Sequence, residues 1–221
     1  MKSAFVPTLS YITLSIITTV ALSPLVLAHP GNLTNQLISQ ERVNNRVEKL
    51  AQFGGSQQEE RSQLIQQANA LSSQGDFTGA EENLRKLIKR FPRHAFGHFE
   101  LGNVLFRQNK AEEAIKAYQE AIRLNSNYAL AYNGIGIVYA SQSRWEEAIA
   151  AYQKALEINP KYADALANSA VALLQTNQQN EGIAALEQAL DIFKSQSRNE
   201  RVFQIEQILQ RLKTADETEI S

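Results

Sequence analysis

Between residues 129 and 162 apolar and polar positions recur with the period of an α-helix, twice over. Tyr132, Ile135, Gly136 and Tyr139 fall three and four residues apart, which puts them on one stripe of a first helix. Ala148, Tyr152 and Ala155 form a matching stripe in a second helix. Pro160 closes that helix, because proline cannot continue the hydrogen-bond ladder. Gly136 and Ala148 are the small residues at which the two backbones can approach, with tyrosine rings filling the space around them.

The same phase returns along the chain. One step earlier stand His98, Leu101, Gly102, Leu105, Ala114, Tyr118 and Ala121, with Ser126 at the proline position. Before those come Leu64, Gln67, Ala68, Leu71, Ala80, Leu84, Leu87 and Pro92. One step later come Leu166, Ser169, Ala170, Leu173, Gly182, Leu186 and Ala189. There the pattern frays, with Gly182 in place of alanine and Lys194 in place of proline. Gly75, Asn109, Ser143 and Asn177 occupy equivalent turns between paired helices, and glycine and asparagine tolerate the left-handed conformation that ends a helix.

This set of landmarks at a period of about 34 residues resembles the tetratricopeptide repeat (TPR). The resemblance implies an all-α fold, a right-handed α-solenoid of about four helix hairpins. The repeats fall at 61–94, 95–128, 129–162 and, in degenerate form, 163–196. It also implies a concave surface lined by the first helix of each hairpin, through the second, fifth, ninth and twelfth positions of each repeat. Those positions hold Ile65 and Asn69, then Phe96, Phe99, Asn103 and Phe106, then Leu130, Asn133 and Ile137, then Asp164, Ala167, Val171 and Leu174. The lining is apolar and aromatic, with Asn69, Asn103 and Asn133 in a row. Buried aromatic anchors suit a partner segment with its own apolar side chains. Asparagine amides, donor and acceptor together, suit a peptide backbone. The family's best-known groove clamps a C-terminal carboxylate with basic residues. Ile65, Leu130 and Gly134 stand at those positions here, so that ligand does not transfer.

The flanks have other patterns. Residues 1–28 read as a secretory signal: Lys2 is the only charge, an apolar run centres on 11–20, Pro24 breaks it, and Val26, Leu27 and Ala28 offer a cleavage site after Ala28. Its competitor is an uncleaved anchor, since 4–27 is long enough to span a bilayer. Either way the repeats are expected outside the cytoplasm, periplasmic or secreted, and a membrane association follows only if the signal is retained. Residues 29–60 are expected to hold a helix over 35–53, with Leu37, Val43, Val47 and Leu50 on one face, and then a hinge at Gly54, Gly55 and Ser56. That helix caps the first repeat, or pairs as a short coiled-coil seam to make a homodimer, or acts as a spacer. Residues 197–213 predict a capping helix, N-capped by Ser197 or Asn199, which covers the last repeat with Val202, Phe203, Ile205, Ile208, Leu209 and Leu212. Residues 214–221 are polar and acidic and are expected to be disordered.

Composition removes function classes rather than adding them. The 23 acidic and 22 basic residues nearly cancel and form no block, so no nucleic-acid partner is suggested. Without cysteine there is no disulfide, thiolate nucleophile or thiolate metal site. Of the three histidines, His94 lies in a turn and His98 takes an aromatic packing position. His29 would begin the mature chain, where amine and imidazole together chelate a metal such as copper, but no second ligand stands near it. Gly134, Ile135 and Gly136 lack the third glycine of a phosphate loop and sit in a helix. Glu112 with Glu113, and Glu146 with Glu147, open second helices, where the helix dipole accounts for them. No enzyme, cofactor or metal is expected. The functional expectation is an exported protein-interaction module, an assembly factor or scaffold, binding a protein or peptide in its concave groove. The alternative is a structural or oligomerisation protein with a self-occupied groove.

Overall fold

The computed structural model of the protein describes residues 30–219, and among these every regular element is a helix. The signal segment and His29 lie outside the described residues. The chain divides into two compact units, 1–52 and 53–221. Helix α1 (Pro30–Ser73) contributes to both. In the first unit Val43, Val47 and Leu50 are exposed.

The second unit is the solenoid. Its hairpins pair the end of α1 with α2 (Phe77–Arg90), α3 (Ala95–Arg107) with α4 (Ala111–Leu124), α5 (Ala129–Ser141) with α6 (Trp145–Ile158), and α7 (Ala163–Gln175) with α8 (Gln179–Ser195). Helix α9 (Asn199–Glu219) follows. Each helix packs on its neighbours in sequence, so each hairpin buries its apolar stripe only against the next. Gly75, Asn109, Ser143 and Asn177 all have positive φ, between 58° and 83°. The equivalent turns therefore share one backbone shape, which Ser143 adopts without the help of a glycine.

The close approaches are those the small residues permit. Ala80, Ala114 and Ala148 are fully buried. A Cβ at Gly102 would lie 2.5 Å from the Tyr118 ring, and a Cβ at Gly134 would lie 2.7 Å from it. The Tyr118 ring is thus wedged between α3 and α5. Tyr152 presses on Gly136 in the same way in the third hairpin. Polar ties join successive hairpins along the edge: Lys110 Nζ bonds Glu81 at 2.9 Å, and Gln108 Nε2 donates to the Phe77 carbonyl at 2.8 Å.

Several local expectations are corrected. Gly54, Gly55 and Ser56, expected between a helix and the repeats, lie within helix α1, just after the division between the two units. Each glycine costs about 1 kcal/mol against alanine, a penalty that the following Gln57, Gln58, Glu59 and Glu60, all good helix formers, leave tolerable. Ser56 Oγ also bonds back to the Phe53 carbonyl. Ser197 has φ 56° and is a left-handed turn residue between α8 and α9 rather than an N-cap. The backbone of Val202 instead bonds the Arg198 carbonyl, so the helix begins after Arg198. Helix α9 also continues to Glu219, through most of the segment expected to be disordered. It covers the last hairpin with Ile205 and Leu209, which are buried with Leu186, Ala189 and Phe193.

The glycine contacts give opposite signs for the same substitution. Gly102→Ala is expected to destabilise by about 1–3 kcal/mol through overpacking against Tyr118, in spite of alanine's better helix propensity. Gly55→Ala, where nothing lies within 4 Å, is expected to stabilise by up to about 1 kcal/mol. Urea denaturation of both variants checks this, and shifts of the same sign would contradict the wedge.

Candidate functional site

The first helices of the first three hairpins enclose a groove of about 690 Å³. Asn69, Phe99, Asn103, Phe106, Leu130, Asn133 and Ile137 border it, as the repeat positions predict. Leu130 is the most open of its large apolar side chains, at 43% exposure. Phe99 is half-buried against Tyr118 and Tyr128, at centroid distances of 5.8 and 5.4 Å, and still borders the groove. Phe106 is half-buried and borders it too.

Four predicted residues do not border the groove. Ile65 is partly buried on the core of the first two hairpins. Phe96 stacks between His94 and Phe99, with centroids 6.1 and 6.4 Å away. Leu174 turns toward α8, because Gly182 has no side chain there; a Cβ on Gly182 would lie 2.9 Å from Leu174 Cγ. Val171 is exposed beyond the groove's end. Of the flanking positions, Ala167 is buried in the last hairpin, and Asp164 bonds Arg198 at 2.7 Å.

The asparagine row is also corrected. Asn103 Oδ1 already accepts from the Tyr118 hydroxyl at 2.8 Å. Asn133 is 6% exposed, and its Oδ1 accepts from Asn168 Nδ2 at 3.1 Å. These amides hold hairpins together, and only Asn69 is exposed. A buried amide must find partners, and the nearest ones belong to this chain.

Periodic positions did not point to the groove's remaining lining. Tyr118 reaches it from a second helix and Tyr162 from an inter-repeat turn. Burial, and then the Asp164 charge, push the Tyr162 hydroxyl up to about 12. Burial, and then the Glu100 charge, push Tyr118 well above the ordinary phenol range. Glu100 and Arg107 are the charged groups of the lining. Burial raises the Glu100 carboxyl above its ordinary value, opposed by a hydrogen bond with Asn103. Glu100 is the only acid in α3, and that is the one signal by which the sequence marks it.

Among the described residues no three His, Asp or Glu side chains converge as a metal site, and no helix is long and apolar enough to cross a membrane. The arrangement is a trough of rings and aliphatic side chains with one acid in its wall.

Two sequence models of the tetratricopeptide repeat match the chain, one over residues 65–129 and 99–163 and the other over 139–198. The comparison with curated proteins gives no match. Among solved structures, the crystal structure of MamA is similar to this chain with a TM-score of 0.56 and 28% identity, covering 62% of this chain and 81% of that one. The MamA RS-1 ArsTM double mutant has a TM-score of 0.55 at 19% identity, covering 75% and 93%, a likeness of fold alone.

The raised carboxyl makes a pH prediction. The folded chain holds the Glu100 proton more readily than the unfolded chain does, so Glu100 weakens the fold as pH rises through its folded pKa. Glu100→Gln is expected to unfold at a higher temperature than the wild type at pH 7. The gain should vanish near about pH 3, well below the ordinary glutamate pKa, where the carboxyl is protonated in both states. Paired melting curves at the two pH values check this; a gain that does not depend on pH would exclude burial of the charge as its cause.

Proposed function

We propose that this chain, which belongs to the tetratricopeptide repeat family, is an exported module that holds a partner polypeptide in the groove of its first three repeats. The observation that carries this reading is the open trough of about 690 Å³, bordered by Phe99, Phe106, Leu130 and Ile137. Apolar side chains left at a surface groove gain free energy when a partner covers them, roughly 25 cal/mol per Å² removed from water. Half-buried rings lose little freedom on binding, which makes Phe99 and Phe106 the natural anchors. The engaged asparagines shift the expected recognition away from a backbone ladder and toward side-chain pockets. Export is read from the sequence: cleavage after Ala28 would place the module in an extracytoplasmic compartment, as an assembly factor or scaffold.

A photo-crosslinker placed at Leu130 in cells of the native host is expected to give a discrete adduct with the partner, and one placed at Gln119, exposed on α4 and outside the groove, to give none. Leu130→Asp should lower recovery of that partner at least tenfold, since it sets an unpaired charge among the rings. Intact mass of the same preparation should begin at His29. Equal adducts at both positions, or unchanged recovery with Leu130→Asp, would remove the groove reading. A chain still beginning at Met1 would remove cleavage.

A second reading is favoured by the exposed stripe of Val43, Val47 and Leu50, each 58–62% exposed. Its three-and-four spacing suits self-association along 43–50, and thus a homodimer. Light scattering of the mature chain is expected to give a dimer mass that Val47→Asp reduces to the monomer. A monomer mass for the wild type would end this reading.

A further inference from the structure

The acid in the groove wall specifies the partner's chemistry. Glu100 lies beside Phe99 on α3 and borders the groove together with Phe106 and Tyr118. Its partner within the chain is the Asn103 amide, and the ion pairs of the described residues join other acids. Arg107, the basic group of the lining, is seven residues further along the same helix, and among the described residues no ion pair joins it to Glu100. The Tyr118 and Tyr128 hydroxyls lie within its field and carry no positive charge. A carboxylate taken out of water costs several kcal/mol unless a cation or a full set of donors meets it. One amide is not a full set.

The rings beside it favour the same ligand. The face of an aromatic ring attracts a cation, more strongly where water is excluded. A lysine or arginine stem is aliphatic and packs along phenylalanine while its head reaches a charge.

We propose that the groove selects a partner segment carrying a basic side chain, seated with its charge on Glu100 and its stem across the Phe99 and Phe106 rings, with apolar neighbours toward Leu130 and Ile137. The inference rests on the groove reading and adds the class of ligand: an extended apolar peptide with one lysine or arginine. An acidic residue at that place is rejected, because it would bring two carboxylates together in a partly desolvated wall.

The test uses the full mature chain and three fluorescein-labelled peptides, Gly-Leu-Phe-X-Leu-Phe-Gly, with X lysine, norleucine or glutamate. Anisotropy titrations are expected to rank lysine about tenfold tighter than norleucine, as a charge-assisted bond to a partly buried acceptor requires, with glutamate weakest. Glu100→Gln should abolish the preference for lysine over norleucine. Leu130→Asp should weaken lysine and norleucine alike. Equal lysine and norleucine affinities in the wild type, or a lysine preference that survives Glu100→Gln, overturn the proposal while loss with Leu130→Asp keeps the groove. Binding of neither peptide, or norleucine binding indifferent to Leu130→Asp, removes the groove reading and this proposal with it.

Discussion

The Tyr118 ring connects the solenoid to its groove. It is wedged between α3 and α5, a position that the missing side chains of Gly102 and Gly134 allow. Its hydroxyl holds Asn103, and its edge borders the groove. One side chain therefore sets both the spacing of two hairpins and the floor between them. A bulkier residue at either glycine would drive the ring out, widening the stack and releasing Asn103 in one movement. Close-packed interiors transmit such a change because they have no slack to absorb it.

The wedge is not repeated at every hairpin, and its absence ends the groove. The third hairpin keeps Tyr152 against Gly136, but one repeat after Gly134 the chain has Asn168. Asn168 donates to Asn133, so an amide pair joins the third and fourth hairpins at that level. In the fourth hairpin Gly182 admits Leu174 between α7 and α8, which takes an expected groove residue into the core. Beyond it Arg198 and Arg201 both reach Asp164, and both guanidinium groups stand over the Phe193 ring. The last hairpin is thereby closed by α9 and serves as an end piece, leaving the open surface to the first three.

The hairpins, their turns and the first-helix face were legible in the sequence because each depends on local spacing. Helical periodicity puts Phe99 with Phe106 on one face of α3 and Leu130 with Ile137 on one face of α5, and the resemblance to the repeat family implied that the two faces share a surface. The misses share a cause, since each depends on a partner distant in sequence. Asn103 and Asn133 read as free amides until Tyr118 and Asn168 are brought to them. Leu174 reads as a groove residue until Gly182 is seen to leave room behind it. The helix through Gly54 and Gly55 was not legible for a different reason: propensity weighs against a helix there by about 1 kcal/mol per glycine, and the flanking residues carried it through.

Glu100 is the residue on which these levels disagree. Helix phase puts it between two residues that pack, and burial works against its charge. A glutamine there would keep the bond to Asn103 without the cost of desolvating a charge. Residues that violate local consistency in an otherwise consistent fold concentrate where function demands them. The rings of the groove provide contact area that any apolar segment could use, so they supply affinity without choice. A single acid held among them changes that, because it rewards one kind of side chain and penalises its opposite. The stability lost at Glu100 and the selectivity gained by the groove are then two consequences of one desolvated charge.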